Sequence, residues 1–317
     1  LAGRADSDGT MKPALATAPG RCGIVGNPSD IYGGFVVSCA IPLRATCRLT
    51  PSDRDELPDD LTLWKPAVAK IRVEGVRVEW STQIPRSRGL SGSTAILAAT
   101  LAALQEATGT PQDWSERGRI EFAELVRDAE CNLGGVVGGY QDAYVICNGG
   151  LLAMDFAGKH PSVHGGTRAT FERLDAPLPF LLVSTDVERL SGSVHGPIRD
   201  RWLRGEPEVV DAMARVAELG RKGAEHLKRG DWQALAGAMT ENHRIVAKLG
   251  GSGDAIDRLI AQCLEGGAMA AKLAGAGLGG TVIALTADPD ALERHLRGEG
   301  YSLFFRPTPD SGVRVEP

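Results

Sequence analysis

The sequence is short of several features that would place a protein quickly. It has no basic excess: across 317 residues, 35 Lys and Arg face 40 Asp and Glu, a formal net charge of −5. Nucleic-acid binders usually carry the opposite balance, so bulk charge argues against that class. Cysteine is sparse. Its six copies, Cys22, Cys39, Cys47, Cys131, Cys147 and Cys263, form no C-x-x-C pair and no Cys/His cluster of zinc spacing. They read as small buried residues of a reducing compartment. There is no G-x-x-x-x-G-K-[ST] segment, which excludes the Walker-type phosphate loop. The G-x-G-x-x-G at Gly275–Gly280 runs into an apolar, strand-like stretch and does not open a helix, which puts dinucleotide-dependent oxidoreductases last. No internal repeat and no low-complexity tract is present.

Long hydrophobic runs are also missing. Residues 266–287 come nearest, with Lys272 as their single charge, but they hold six glycines. Glycine so clustered marks a loop rather than a spanning helix. The polar stretch LAGRADSDGT at 1–10 has no apolar signal-peptide segment, and residues 1–11 read as a disordered lead-in or tag remnant. The expectation is a cytoplasmic protein with no membrane and no nucleic-acid partner, a monomer or homodimer.

What is present is ordinary globular composition with 43% hydrophobic residues. The segments 35–40, 45–50 and 68–80 have β-like composition, and IRVEGVRVEW alternates like a half-exposed strand. Residues 93–106, rich in Ala and Leu on all sides, predict a buried helix. A second helix is expected over 118–131 and a strand over 151–156. Pro177 and Pro179 punctuate a boundary. Beyond it, 180–187 reads as a buried strand, 207–228, 232–248 and 254–270 as helices, and the end as strand, helix, strand. Two domains of mixed α and β character fit this order.

Three glycine-bearing segments carry the chemistry. The middle one runs from Pro85 to Ala95. Gly89, Leu90, Ser91, Gly92, Ser93 and Thr94 lie at the start of the apolar helix, where small residues and unpaired N–H groups make a phosphate cradle. Ser93 offers a hydroxyl to Mg²⁺ there. The competing reading is a loop whose serine caps the helix. The other two are Ala18-Pro19-Gly20-Arg21, with Gly26-Asn27-Pro28-Ser29-Asp30 downstream, and Lys272 through Gly280. The latter includes Gly275, Ala276 and Gly277 and, read alone, is a tight turn.

Together, and in this order, the three segments resemble the GHMP kinases. That family carries Ala-Pro-Gly-[Arg/Lys], Pro-x-x-x-Gly-Leu-[Gly/Ser]-Ser-Ser-Ala and Gly-Ala-Gly-x-Gly-Gly. Gly92 and Thr94 depart from the second motif, replacing its first Ser and its Ala, while Ser93 keeps the second Ser. The resemblance runs from Ala18 to the last strand. It implies an α+β, two-domain fold. The N-terminal domain, ribosomal-protein-S5-domain-2-like and ATP-binding, would span 12–176, and the C-terminal domain, a ferredoxin-like α/β sandwich, 177–317. It implies ATP and Mg²⁺, with Glu130 and Ser93 toward the metal. Asp142 would face the acceptor hydroxyl and Arg21 would neutralise charge beside it. Trp64 and Lys65 would border the nucleotide base.

Gly26-Asn27-Pro28-Ser29-Asp30-Ile31-Tyr32 resembles the glucuronokinase branch, as do Gly139-Tyr140-Gln141-Asp142 and the stretch around Ser191 to Leu203. The implied reaction phosphorylates the anomeric hydroxyl of D-glucuronate. Asn27, Ser29, Asp30, Tyr32, Gln141 and His195 are the candidates for sugar contacts. Arg86, Arg88, Arg199 and Arg201 are the candidates for a uronate carboxylate, which arginine binds through paired hydrogen bonds. The alternatives are a GHMP kinase for another sugar, another uronic acid or a mevalonate-like acid, and a non-catalytic metabolite-binding relative.

Overall fold

The computed structural model describes residues 11–110, 112–161, 166–185, 192–275 and 280–317. Its first part runs β1 (Ala14–Val25), β2 (Phe35–Pro51), α1 (Trp64–Lys70), β3 (Val76–Thr82), α2 (Gly92–Ala107), α3 (Glu116–Asp128), α4 (Gln141–Asn148), β4 (Leu151–Asp155) and β5 (Thr170–Arg173). The second runs β6 (Phe180–Ser184), α5 (Gly192–Leu203), α6 (Pro207–Arg229), α7 (Trp232–Val246), α8 (Asp254–Glu265), β7 (Ala270–Leu273), β8 (Thr281–Leu285), α9 (Pro289–Gly298), β9 (Phe304–Phe305) and β10 (Arg314–Glu316).

Two antiparallel sheets result. The first has the order β10-β1-β2-β4-β5, with β3 also on β2; the second has β7-β8-β6-β9. The tail thus crosses back from the second part to pair β10 with β1. The apolar helix expected over 93–106 is α2, and it is buried against β1 and β2 as its composition requires. Pro207 at the start of α6 and Gly230 at φ +65° just past its end delimit that helix by their backbone preferences alone.

Several local expectations change. The segments 35–40 and 45–50 are one strand, β2, because Pro42 sits where the pairing with β1 shifts register, between Ile41↔Gly20 and Arg44↔Pro19. A residue with no N–H is tolerated at such a bulge. The strand expected over 68–80 begins as the end of α1: Trp64 and Ala67, one helical turn apart, are both buried, and Gly75 at φ +68° then turns the chain into β3. The helix expected to reach 270 stops at Glu265, and Ala270–Leu273 joins the second sheet. The strands β1, β5 and β10 and the helix α5 were not expected.

Residues 266–287 are turns and strands where described, and no helix among the described residues is long and apolar enough to cross a membrane. All six cysteines are free thiols, and every one but Cys131 is buried.

Candidate active site

Arg21 lies mid-way along β1 and is 5% exposed. Two segments remote in sequence bond the backbone of strand β1 there. The Arg21 N–H donates to the Leu90 carbonyl at 3.1 Å, and the Gly23 N–H to the Ala274 carbonyl at 3.0 Å. Gly20 makes the first approach feasible, since a Cβ on it would sit 2.9 Å from the Leu90 oxygen. The three glycine segments, remote in sequence, therefore meet around one arginine.

The middle segment turns sharply before α2. Gly89 and Ser91 both hold left-handed backbone, at φ +75° and +60°. This turn aims the Ser91 side chain away from the helix end. Its hydroxyl donates to Asp142 Oδ2 at 2.6 Å and makes no capping bond to α2. The Arg21 Nε donates to Asp142 Oδ1 at 2.7 Å, and its Nη1 donates to the carbonyls of Gly89 (2.8 Å) and Ala274 (3.3 Å). Burial by itself would raise the Asp142 carboxyl. The Arg21 charge and hydrogen bond, with the Ser91 donor and the nearby His195, outweigh it and hold the group below the usual carboxylate range.

Asp142 is positioned by a second carboxylate. The α4 start leaves N–H groups without intrahelical partners. Asp30, from the turn Ser29–Tyr32, takes two of them: its Oδ2 accepts from Tyr140 N at 2.6 Å and Gln141 N at 2.9 Å. Both acids thus sit at the positive end of the helix. Burial raises the Asp30 carboxyl, the Gln141 N–H opposes it, and the charge of Asp142 adds to the rise. Gly139 is required here, because a Cβ would overlap Asp30 Oδ2. Replacing Gly139 by Ala is expected to displace the first turn of α4 and to lower kcat on the order of 10²-fold in a protein that still melts cooperatively. A wild-type kcat would show that Asp30 does not position Asp142.

Glu130 follows α3 in the π-turn Ala129–Leu133 and faces the start of α2. Its carboxylate accepts from Ser93 Oγ at 3.2 Å and from Thr94 Oγ1 at 2.9 Å. Burial, and then the charge of Asp142, push it up to about 7 against those two donors. One carboxylate and two hydroxyls are hard oxygen donors of the kind Mg²⁺ accepts when nucleotide phosphates complete its shell. No cluster of three or more His, Cys, Asp or Glu suited to a metal exists among the described residues.

A cavity of about 930 Å³ opens over these groups. Of the residues singled out in the sequence, Arg21, Asp30, Arg86, Arg88, Gln141, Asp142, His195, Glu130, Gly275 and the 89–94 turn line it. Other residues stand elsewhere. Asn27 and Ser29 are buried with their polar atoms committed: Asn27 to Lys272 and the Gly275 carbonyl, Ser29 to the Phe35 carbonyl. Tyr32 packs on Trp202, with ring centroids 5.3 Å apart, and neither it nor Arg199 reaches the cavity wall. Arg199 pairs with Asp200 at 2.9 Å, and Arg201 pairs with Glu206 and Glu208. The Arg88 guanidinium is bound to the Thr185 carbonyl. Ala276 and Gly277 lie outside the described residues.

The wall away from Asp142 also differs from expectation. Trp64 is buried in α1 and Lys65 is exposed to solvent, so neither lines the cavity. Leu63, Pro66, Val78, Trp80 and Ile96 form that wall instead. Trp80 was readable in part: Val78, Trp80 and Thr82 share one face of the alternating strand, but which face meets the cavity depends on the pairing of β3 with β2.

Comparison with known proteins bears on this arrangement. The family model described as GHMP kinases N terminal domain matches residues 62–150, and GHMP kinases C terminal matches 224–300. The Galactokinase galactose-binding signature matches 7–51. The protein named probable glucuronokinase 2 of Arabidopsis thaliana is 30% identical over 263 residues, 70% of either chain. The chain belongs to the GHMP kinases.

The kinase is also 26% identical over 324 residues to a galactokinase of Mycobacterium tuberculosis, covering 84% of this chain and 87% of that one. Among solved structures, Lactococcus lactis galactokinase complexed with galactose superposes with a TM-score of 0.75 at 17% identity, covering 96% of the kinase and 95% of that chain. L. major mevalonate kinase in complex with R-mevalonate gives 0.74 at 18%, covering 98% and 100%. The α+β, two-domain fold expected of a GHMP kinase is the one observed.

Proposed function

We propose that the kinase transfers the γ-phosphoryl group of ATP to the anomeric hydroxyl of D-glucuronate, giving glucuronate 1-phosphate and ADP. The observation that carries the reaction type is the Arg21–Asp142–Ser91 set at the junction of the three glycine segments. Phosphoryl transfer needs positioned reactants and neutralised charge more than covalent chemistry. The 89–94 turn and the first N–H groups of α2 hold the phosphates. The apolar wall around Trp80 takes the base. The acceptor lies toward Asp30, Gln141 and His195, with its hydroxyl on Asp142, the ionised carboxylate that orients it and receives its proton. Arg21 keeps that carboxylate charged before transfer. Glu130 with Ser93 would hold Mg²⁺, which would supply positive charge to offset that of the phosphates.

The identity of the acceptor rests on the Gly26–Tyr32 segment and on the likeness to proteins named glucuronokinases. A neutral hexose is the second reading, favoured by the match to the galactose-binding signature. A kinase assay with MgATP across glucuronate, galacturonate, galactose, arabinose and mevalonate separates them. Glucuronate is expected to exceed the neutral sugars in kcat/KM by about 10- to 100-fold, the worth of a charge-assisted carboxylate contact. Galactose ahead of glucuronate would overturn the acceptor and leave the kinase intact.

A further inference from the structure

A buried cation behind the site is not used by the mechanism above. Lys272 on β7 is 0% exposed. Its Nζ donates to Asn27 Oδ1 and to the Leu273 carbonyl, both at 2.7 Å. No carboxylate pairs with it among the described residues. An ammonium removed from water with only neutral acceptors is costly to keep, and burial duly pushes it down to about 7, with Arg21 acting in the same direction against Cys22. Perturbed groups of this kind concentrate at working sites.

Its partner explains what it does. The Asn27 side-chain amide, held by Lys272 at one atom, donates from the other to the Gly275 carbonyl at 3.4 Å. The Asn27 backbone is gripped from α7: Asn242 Nδ2 donates to the Asn27 carbonyl at 3.0 Å, and Asn242 Oδ1 accepts from Gly26 N at 2.8 Å. Next to Gly275, the Ala274 carbonyl receives both Gly23 N and Arg21 Nη1. The lysine, the asparagine and the third glycine segment thus form a closed brace against β1, one residue removed from the Arg21 guanidinium.

We propose that Lys272 is a positioning residue for phosphoryl transfer, which acts through Asn27 to seat the third glycine segment against β1 and so to aim Arg21 at Asp142. The inference rests on the roles given to Arg21 and Asp142 above. The test compares Lys272→Met, Asn27→Asp and the double variant with wild type, using MgATP and the fastest acceptor of the five named above. Lys272→Met removes the charge at similar volume, and kcat is expected to fall on the order of 10²-fold. Asn27→Asp keeps the contact to Lys272 as an ion pair but removes the donor to Gly275. It is expected to lose kcat similarly, which keeps the proposal testable should the first variant not fold. The double variant should lose little more than the worse single one, since both cut the same brace.

A role confined to stability predicts a lower Tm with an unchanged kcat per folded molecule, and that result would overturn the proposal. So would losses that multiply in the double variant, or wild-type kcat in Asn27→Asp. Arg21→Ala run alongside separates the two failures. If it stays active, the site assignment falls. If it is inactive while Lys272→Met is normal, only the role of Lys272 falls.

Discussion

Replacing Asp142 by Asn is expected to lower kcat by about 10³-fold, within the range known for loss of a positioned acid or base. The substitution preserves shape, so the effect isolates charge. In the wild-type protein Asp142 Oδ1 accepts from Arg21 Nε and Oδ2 from Ser91 Oγ. Both oxygens are acceptors, and an Asn amide must turn its NH₂ toward one of those donors. The Arg21 charge and hydrogen bond also hold this carboxylate below its usual range against burial, so it stays ionised through the neutral region. The turn proposed to hold the phosphates meets this carboxylate through the Ser91 hydroxyl and not through its backbone N–H groups. Calorimetry with ATP should therefore give a Kd close to wild type while steady-state turnover collapses. A variant within tenfold of wild-type kcat would remove Asp142 from the chemistry.

Arg21→Ala is expected to lower kcat by roughly 10² to 10³-fold, the usual consequence of losing a preorganised electrostatic donor. It should also lower Tm more than Asp142→Asn does. Two different losses are combined here. One is charge: without the guanidinium, burial dominates and Asp142 drifts toward its neutral form. The other is geometry, because the same guanidinium ties Gly89 and Ala274 together through their carbonyls. Arg21→Lys is informative for this reason. A lysine restores the charge as a single point on a flexible stem and cannot reproduce three directed bonds. Recovery of less than a tenth of wild-type kcat by lysine is expected, and full recovery would show that charge alone matters at this position.

Much of this arrangement is legible in the sequence. Motifs built on local conformation were legible. The glycines and serines of 89–93 signal a sharp turn before a helix, and the all-round apolar pattern of 93–106 signals its burial. Asp142 at the head of α4 follows from the glycine run before it. Helix ends marked by Pro207 and Gly230 needed nothing beyond their own backbone preferences. Where composition pointed two ways, it misled. Residues 68–71, apolar but for Lys70, look like the start of β3, but the buried Trp64 and Ala67 hold this stretch to the end of a helix.

The glycine segment before α2 and the acid at the head of α4 were thus determined by sequence, because turns, helix starts and apolar faces depend on neighbours a few residues away. Tertiary structure alone decided which side chains face the cavity. Asn27, Ser29 and Asp30 are nearly adjacent in a polar turn, yet the first two turn inward to brace Lys272 and Phe35, while Asp30 reaches the α4 start some 110 residues on. Trp80 replaced Trp64 at the cavity wall for the same kind of reason: its face is chosen by strand register. Burial and hydrogen-bond commitment are properties of pairs, and the partners of these residues come from segments that only folding brings together.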